Sequence, residues 1–129
     1  MKVKQIFIVL ILISSCTKQS EYALLEARLL ELEVTNNETV YALGSNSCRS
    51  CKSIYLSYIE TNNINCLVAI DTFKTVAAFD RTRIVHDKNE ILSRIYLDGY
   101  GDQRKIVLKD GKIVEVTNIT MQNYMKVVR

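Results

Sequence analysis

Proline and tryptophan are absent from this chain of 129 residues, and histidine occurs once. One histidine leaves almost no scope for a hydrolase built on serine, histidine and aspartate, and no serine lies in a nucleophile-elbow sequence. Glycine occurs only four times, and none of the four belongs to a phosphate-cradling loop. An excess of one charge is also missing. With Lys2 and Lys4 set aside as part of a leader, fifteen Lys and Arg face fourteen Asp and Glu. Near neutrality gives no electrostatic reason to expect a polyanion partner, nucleic acid included. The apolar run Ile6 to Ile13 falls well short of the ~20 residues that span a bilayer.

What is present begins with that run. Lys2 and Lys4 precede it, and Ser14-Ser15-Cys16 follows with small residues and a cysteine. A basic start, an apolar stretch and small residues are the order of a secretory signal. Ile13-Ser14-Ser15-Cys16 resembles the lipobox of bacterial lipoproteins. That resemblance implies a signal peptide over residues 1–15, diacylglyceryl attachment at Cys16, and an exported, membrane-anchored protein on the periplasmic side or cell surface. Two or more acyl chains give stable anchoring. Residues 16–37 then read as anchor, tether and a helix from Glu21 to Glu33, with Tyr22, Leu25, Leu29 and Leu32 on one face. The pattern leaves open whether this helix covers the domain or forms a stalk.

Export changes the meaning of the remaining cysteines, because lasting disulfides form outside the cytosol. Cys48-Arg49-Ser50-Cys51 stands where the apolar strand Val40-Tyr41-Ala42-Leu43 gives way to a helix. Ile54, Tyr55, Tyr58 and Ile59 mark that helix, which is expected to reach about Thr61. A helix N-terminus favours thiolate over thiol. A ring this small contributes only ~2 kcal/mol to stability by loop entropy, against ~3 for a fifteen-residue loop. The pair therefore suits electron exchange better than stapling. Cys66 lies within the apolar stretch Ile64 to Ile70, where a cysteine behaves as a small inert residue.

Beyond it the pattern predicts a short helix capped by Asp71 and running to about Phe79. A strand at Ile84-Val85 follows, ending near His86-Asp87, then a helix around Ile91, Leu92 and Ile95. Asp98 to Asp102 reads as a loop. Ile106 to Leu108, Asp110-Gly111 and Ile113 to Val116 form the clearest hairpin signal. A final helix is expected from about Ile119 to Val128. At 129 residues with 48% apolar content the chain suits one domain. Its class is α/β, a mixed sheet flanked by helices.

From Glu38 to Arg129 the chain resembles the thioredoxin-like family, in particular its membrane-tethered bacterial thiol–disulfide oxidoreductases. The residues that carry the likeness are Val40 through Tyr58 with the cysteine pair and Lys52. Arg83 to Asp87, Glu90 to Leu97, and the hairpin Lys105 to Val116 complete it. The resemblance implies a thioredoxin-like domain over residues 38–129 that exchanges electrons with protein thiols or disulfides and is reset by an upstream redox partner. Cys48 is then the attacking nucleophile and Cys51 the resolving thiol, with no cofactor beyond the dithiol. Arg49 and Lys52 add positive charge that favours the thiolate. Asp102 and Gln103 occupy the loop facing the disulfide, where many members carry a cis-proline. Without proline a cis bond costs ~3 kcal/mol, so a trans loop is expected. Ser47 stands where members usually have tryptophan, Ser50 where they have proline, and Ala42 in place of a buried acid.

Two rival readings use the same residues. A non-catalytic, lipid-anchored binding or assembly factor would keep the cysteines as a minor staple. A zinc- or copper-binding variant would use Cys48, Cys51, Cys66 and His86, ligand types that suit zinc. Cys66 and His86 have no paired spacing of their own, so the expected metal set is empty.

Overall fold

A computed structural model of the chain describes residues 22–44, 48–71, 81–95 and 101–129. Residues 1–21, with the expected signal peptide and Cys16, and Ser47 lie outside the described residues, as does the helix expected after Asp71. Five strands form one mixed sheet: β1 (Thr39–Leu43), β2 (Cys66–Ile70), β3 (Thr82–His86), β4 (Gln103–Lys109) and β5 (Lys112–Asn118). Their order is β3-β2-β1-β4-β5. β1 and β2 run parallel with Val40 opposite Leu67, and β2 and β3 run parallel with Val68 opposite Ile84. β4 is antiparallel to β1, and β5 closes the antiparallel hairpin.

The central strands are apolar at nearly every position because both faces are covered. Val40 and Ala42 of β1, with Leu67 and Ala69 of β2, face helix α1 (Ala23–Glu31) and the short α3 (Ile91–Arg94). Tyr41, Leu43, Val68 and Ile70 face helix α2 (Arg49–Thr61) and the C-terminal segment that holds α4 (Tyr124–Val127). Leu25 and Leu29 of α1 are buried in the first of these layers, so α1 covers the sheet.

Both longer helices stop the same way. In α1, Val34 N–H donates to Leu29 O and Glu33 N–H to Leu30 O; in α2, Ile64 and Asn63 repeat the pattern on Ile59 and Glu60. These are Schellman closures, with buried Val34 and Ile64 packed back on the helix. Glu33 (φ 61°) and Asn63 (φ 49°) occupy the left-handed position usually given to glycine. Asp110 (φ 53°) and Gly111 (φ 75°) make the two-residue turn between β4 and β5, matching the expected Asp-Gly hairpin.

Two helices are shorter than the sequence pattern predicts. α3 has four residues, because a 3-10 turn (Lys88–Glu90) precedes it and Asn89 and Glu90 both adopt left-handed backbone angles. α4 begins only at Tyr124. Residues Thr120 to Asn123 make an isolated turn, with Asn123 N–H and Tyr124 N–H both donating to Thr120 O, while the Asn123 side chain accepts from Thr120 N–H and donates to Asn118 O. Among the described residues no helix is long and apolar enough to cross a membrane.

Candidate functional site

The three parallel strands all end on one edge of the sheet, at Leu43, Ile70 and His86. In open α/β sheets that edge is where ligands and chemistry collect. β1 leads through Gly44 toward Cys48, the N-cap of α2. Cys48 is extended (φ −159°, ψ 104°), and its sulfur accepts from Cys51 N–H at 3.2 Å. Ser50 Oγ lies 3.7 Å from the same sulfur. Cys48 and Cys51 form a disulfide with Cα atoms 5.3 Å apart. Cys51 is 6% exposed and packs into the α2 layer, whereas Cys48 is only half-buried. Cys48 is therefore the more exposed residue of the pair.

Arg49 opens α2, and its side chain lies outside the described part of the molecule. Lys52 is not a solvated surface charge. Its side chain is 13% exposed and Nζ lies 3.9 Å from Glu90 Oε1, whose side chain is 9% exposed. Glu90 is brought inward by the left-handed turn before α3, for which its sequence gives no signal. An acid just ahead of Ile91 and Leu92 reads as an ordinary helix-start residue.

Asp102 and Gln103 lie against Gly44, the last described residue before the cysteine loop. Gly44 N–H donates to Asp102 O at 3.1 Å, and Gln103 Nε2 donates to Gly44 O at 2.6 Å. No described peptide bond is cis. A Cβ at Gly44 would stand 2.9 Å from Ser93 Cβ and 3.0 Å from Asp102 O, so glycine is required by space. The next residue was missed in the sequence. Arg104 is 2% exposed, and its guanidinium donates to Gly101 O (3.1 and 2.6 Å), Ile95 O (2.8 Å) and Ser93 O (3.1 Å). It gathers the described flanks of the connection between α3 and β4, Ser93 and Ile95 on one side and Gly101 on the other. In sequence it is one basic residue before an apolar strand.

Tyr55, one turn beyond Cys51, is buried, and its hydroxyl is held above the usual tyrosine range by burial and then by the negative charge of Asp102. Its ring lies 5.4 Å from that of Tyr124, which also meets Tyr58 edge-on at 5.3 Å. A shallow groove along the outside of α2 is lined by Ser53, Ile54, Ser57, Tyr58 and Tyr124.

The remaining candidates are scattered. Cys66 starts β2, at the opposite edge of the sheet from the cysteine pair. It is buried 3.9 Å from Thr82 Oγ1, and burial pushes its thiol up to about 11. A cleft of about 420 Å³ opens at that far edge between Glu38, Asn65, Cys66 and Arg83. His86 shares the edge of the cysteine pair and sits 3.1 Å from Asp71 Oδ1. The four residues of the metal reading thus lie at both ends of the sheet. Among the described residues no three His, Cys, Asp or Glu side chains group to hold a metal ion.

No family model, no curated protein and no solved structure matches this chain.

Proposed function

We propose that this chain is a thioredoxin-like, extracytoplasmic thiol–disulfide oxidoreductase, anchored by lipid at Cys16. The observation that carries the reading is the asymmetry of the pair. Cys48, half-buried, receives an N–H at the helix tip while Cys51 is sealed in the core. The strand order and the antiparallel closing hairpin are compatible with that fold.

In the reduced pair, the Cys48 thiolate attacks a disulfide of a partner protein. A bond forms between Cys48 and one partner sulfur, and the other partner sulfur departs as thiolate. The Cys51 thiolate then attacks Cys48, re-forming the Cys48–Cys51 bond and releasing the second partner thiolate. The partner gains two electrons and the pair loses two, so a dithiol protein must reduce it before the next cycle. The same steps reversed oxidise a dithiol partner. The Cys51 N–H and Ser50 hydroxyl near the attacking sulfur favour its thiolate.

A second reading, a non-catalytic anchored binding factor, is favoured by Ala42, a buried apolar residue six positions before Cys48 where the resemblance would place an acid to assist proton transfer. The pair's reduction potential separates the two. An exchanging pair lies above about −300 mV, and a structural staple below it. Turnover of a disulfide-bonded protein that disappears in Cys48→Ser supports exchange; equal rates in both proteins exclude it.

A further inference from the structure

Helix α1 is apolar on two sides, and the sheet uses only one of them. Leu25 and Leu29 are buried in the layer over β1 and β2. Ala23, Leu24, Ala27 and Leu30 are exposed, the two leucines at 69% and 65%. At about 100° per residue, Ala23, Ala27 and Leu30 fall together opposite the buried pair, with Leu24 beside them. The charges of the helix are drawn off to its flanks. Glu26 accepts from Ile113 N–H at 3.1 Å and meets Lys112 Nζ at 3.6 Å on the hairpin. Arg28 donates to Asp87 beside α3, and at 3.0 Å it neutralises Glu31 at the edge of the exposed stripe. A helix face that meets water is ordinarily charged, and a helix apolar all round is covered on both sides.

The lipid anchor proposed at Cys16 decides what covers the outer face. Only Thr17 to Glu21 separate Cys16 from Tyr22, a stretch that reaches about 20 Å even when fully extended. Helix α1 therefore starts close to the membrane surface. A second copy of the chain suits the face poorly. Nine residues make a helix only ~13 Å long, far short of the ~800 Å² per partner of a stable contact. A short tether supplies the high local concentration that lets so small a face engage a surface.

We infer that the exposed face of α1 rests on the bilayer that holds the lipid, with Leu24 and Leu30 dipped among the headgroups. Helices α1 and α2 cover opposite faces of the sheet, and both cysteines pack on the α2 side. With α1 down, the cysteine pair is turned to the aqueous side. Its partners are then soluble proteins or soluble domains, approached from water. This orientation rests on the lipid anchor at Cys16 and deepens that reading by fixing which side of the domain partners reach.

The lack of native tryptophan makes the test direct. Leu24→Trp and Leu30→Trp each place one fluorescent reporter on α1. Met125→Trp, at a position 63% exposed in α4 on the other side of the sheet, is the control. Each acylated protein is purified from bacterial membranes and placed in phosphatidylcholine vesicles, with brominated acyl chains as quencher. Both α1 reporters should shift to the blue and be quenched, while Met125→Trp keeps the emission of an exposed indole. Adding Leu30→Gln to Leu24→Trp should move its emission back toward the water value. Because these positions are exposed, urea midpoints should stay at the wild-type value, and either α1 reporter decides alone. Mass analysis of Cys16 reads the anchor separately. Unshifted, unquenched α1 reporters in protein that carries the lipid overturn the bilayer contact and leave the anchor standing. A blue shift without quenching assigns the face to a second copy and overturns it too. Cys16 without the lipid mass rejects the anchor, and the bilayer contact falls with it.

Discussion

Gly44 is the joint between the central strand and the cysteine loop, and replacing it with alanine tests how tightly that joint is held. The backbone angle is not the obstacle, since Gly111 is the only described glycine with positive φ. Space is. An added methyl would meet Ser93 Cβ at 2.9 Å, Asp102 O at 3.0 Å and Ser93 Oγ at 3.2 Å. Overpacking of this kind costs roughly 1–3 kcal/mol. Rotating the chain away to relieve it endangers the Gly44–Asp102 hydrogen bond, a further ~1 kcal/mol. Alanine restricts the unfolded chain and returns ~0.5–1 kcal/mol. Gly44→Ala should therefore lower unfolding free energy by about 1–3.5 kcal/mol, read by urea titration of the oxidised protein. The partner variant Ser93→Gly removes two of the three contacts. In that background the cost of Gly44→Ala should fall by at least ~1 kcal/mol. A loss below ~0.5 kcal/mol in both backgrounds would refute the picture of a packed joint.

Other expectations follow from single features. Burial pushes the Tyr41 hydroxyl up to about 12 from an ordinary 10.0. The unfolded chain therefore gives up that proton first. Stability should be intact below pH ~10 and fall by up to ~2–3 kcal/mol as pH rises toward 12. Urea titrations in a Cys66→Ala background, which prevents disulfide shuffling, should show this fall, and Tyr41→Phe should flatten it. Cys66, buried with its thiol raised to about 11, should resist alkylation in the native protein at pH 8 and react only on unfolding; labelling as fast as in urea would contradict its placement. Arg104→Met strips charged donors from three backbone carbonyls and should cost about 3–5 kcal/mol, measured by thermal or urea unfolding. Glu33→Gly relieves a left-handed position at the end of α1 and should raise stability by ~0.5–1 kcal/mol in the same assay, the opposite sign from most glycine substitutions.

The parts legible in the sequence are those where one local pattern decides the outcome. The apolar runs at Val40 to Leu43 and Cys66 to Ile70 form central strands because nothing but burial suits them. Asp110-Gly111 between apolar segments makes the hairpin turn. Cys48 serves as the cap of α2, with apolar residues recurring at helical spacing beyond it. What escaped the sequence depends on tertiary partners. Glu90 reads as a surface acid until a left-handed turn sends it to Lys52. Arg104 reads as an exposed cation, yet carbonyls from Ser93, Ile95 and Gly101 make its burial tolerable. The start of α4 is set at Asn123, whose side chain bonds Thr120 N–H and Asn118 O across the turn before it.

β1 is the only strand of the five bonded to a parallel neighbour on one side and an antiparallel one on the other, and both of its faces are covered. Its amides should be among the last to exchange with heavy water, opening only when the whole domain does. The chain leaves this strand at Leu43 and Gly44, four residues ahead of the disulfide, so the cysteine pair follows directly in sequence on the element expected to open last.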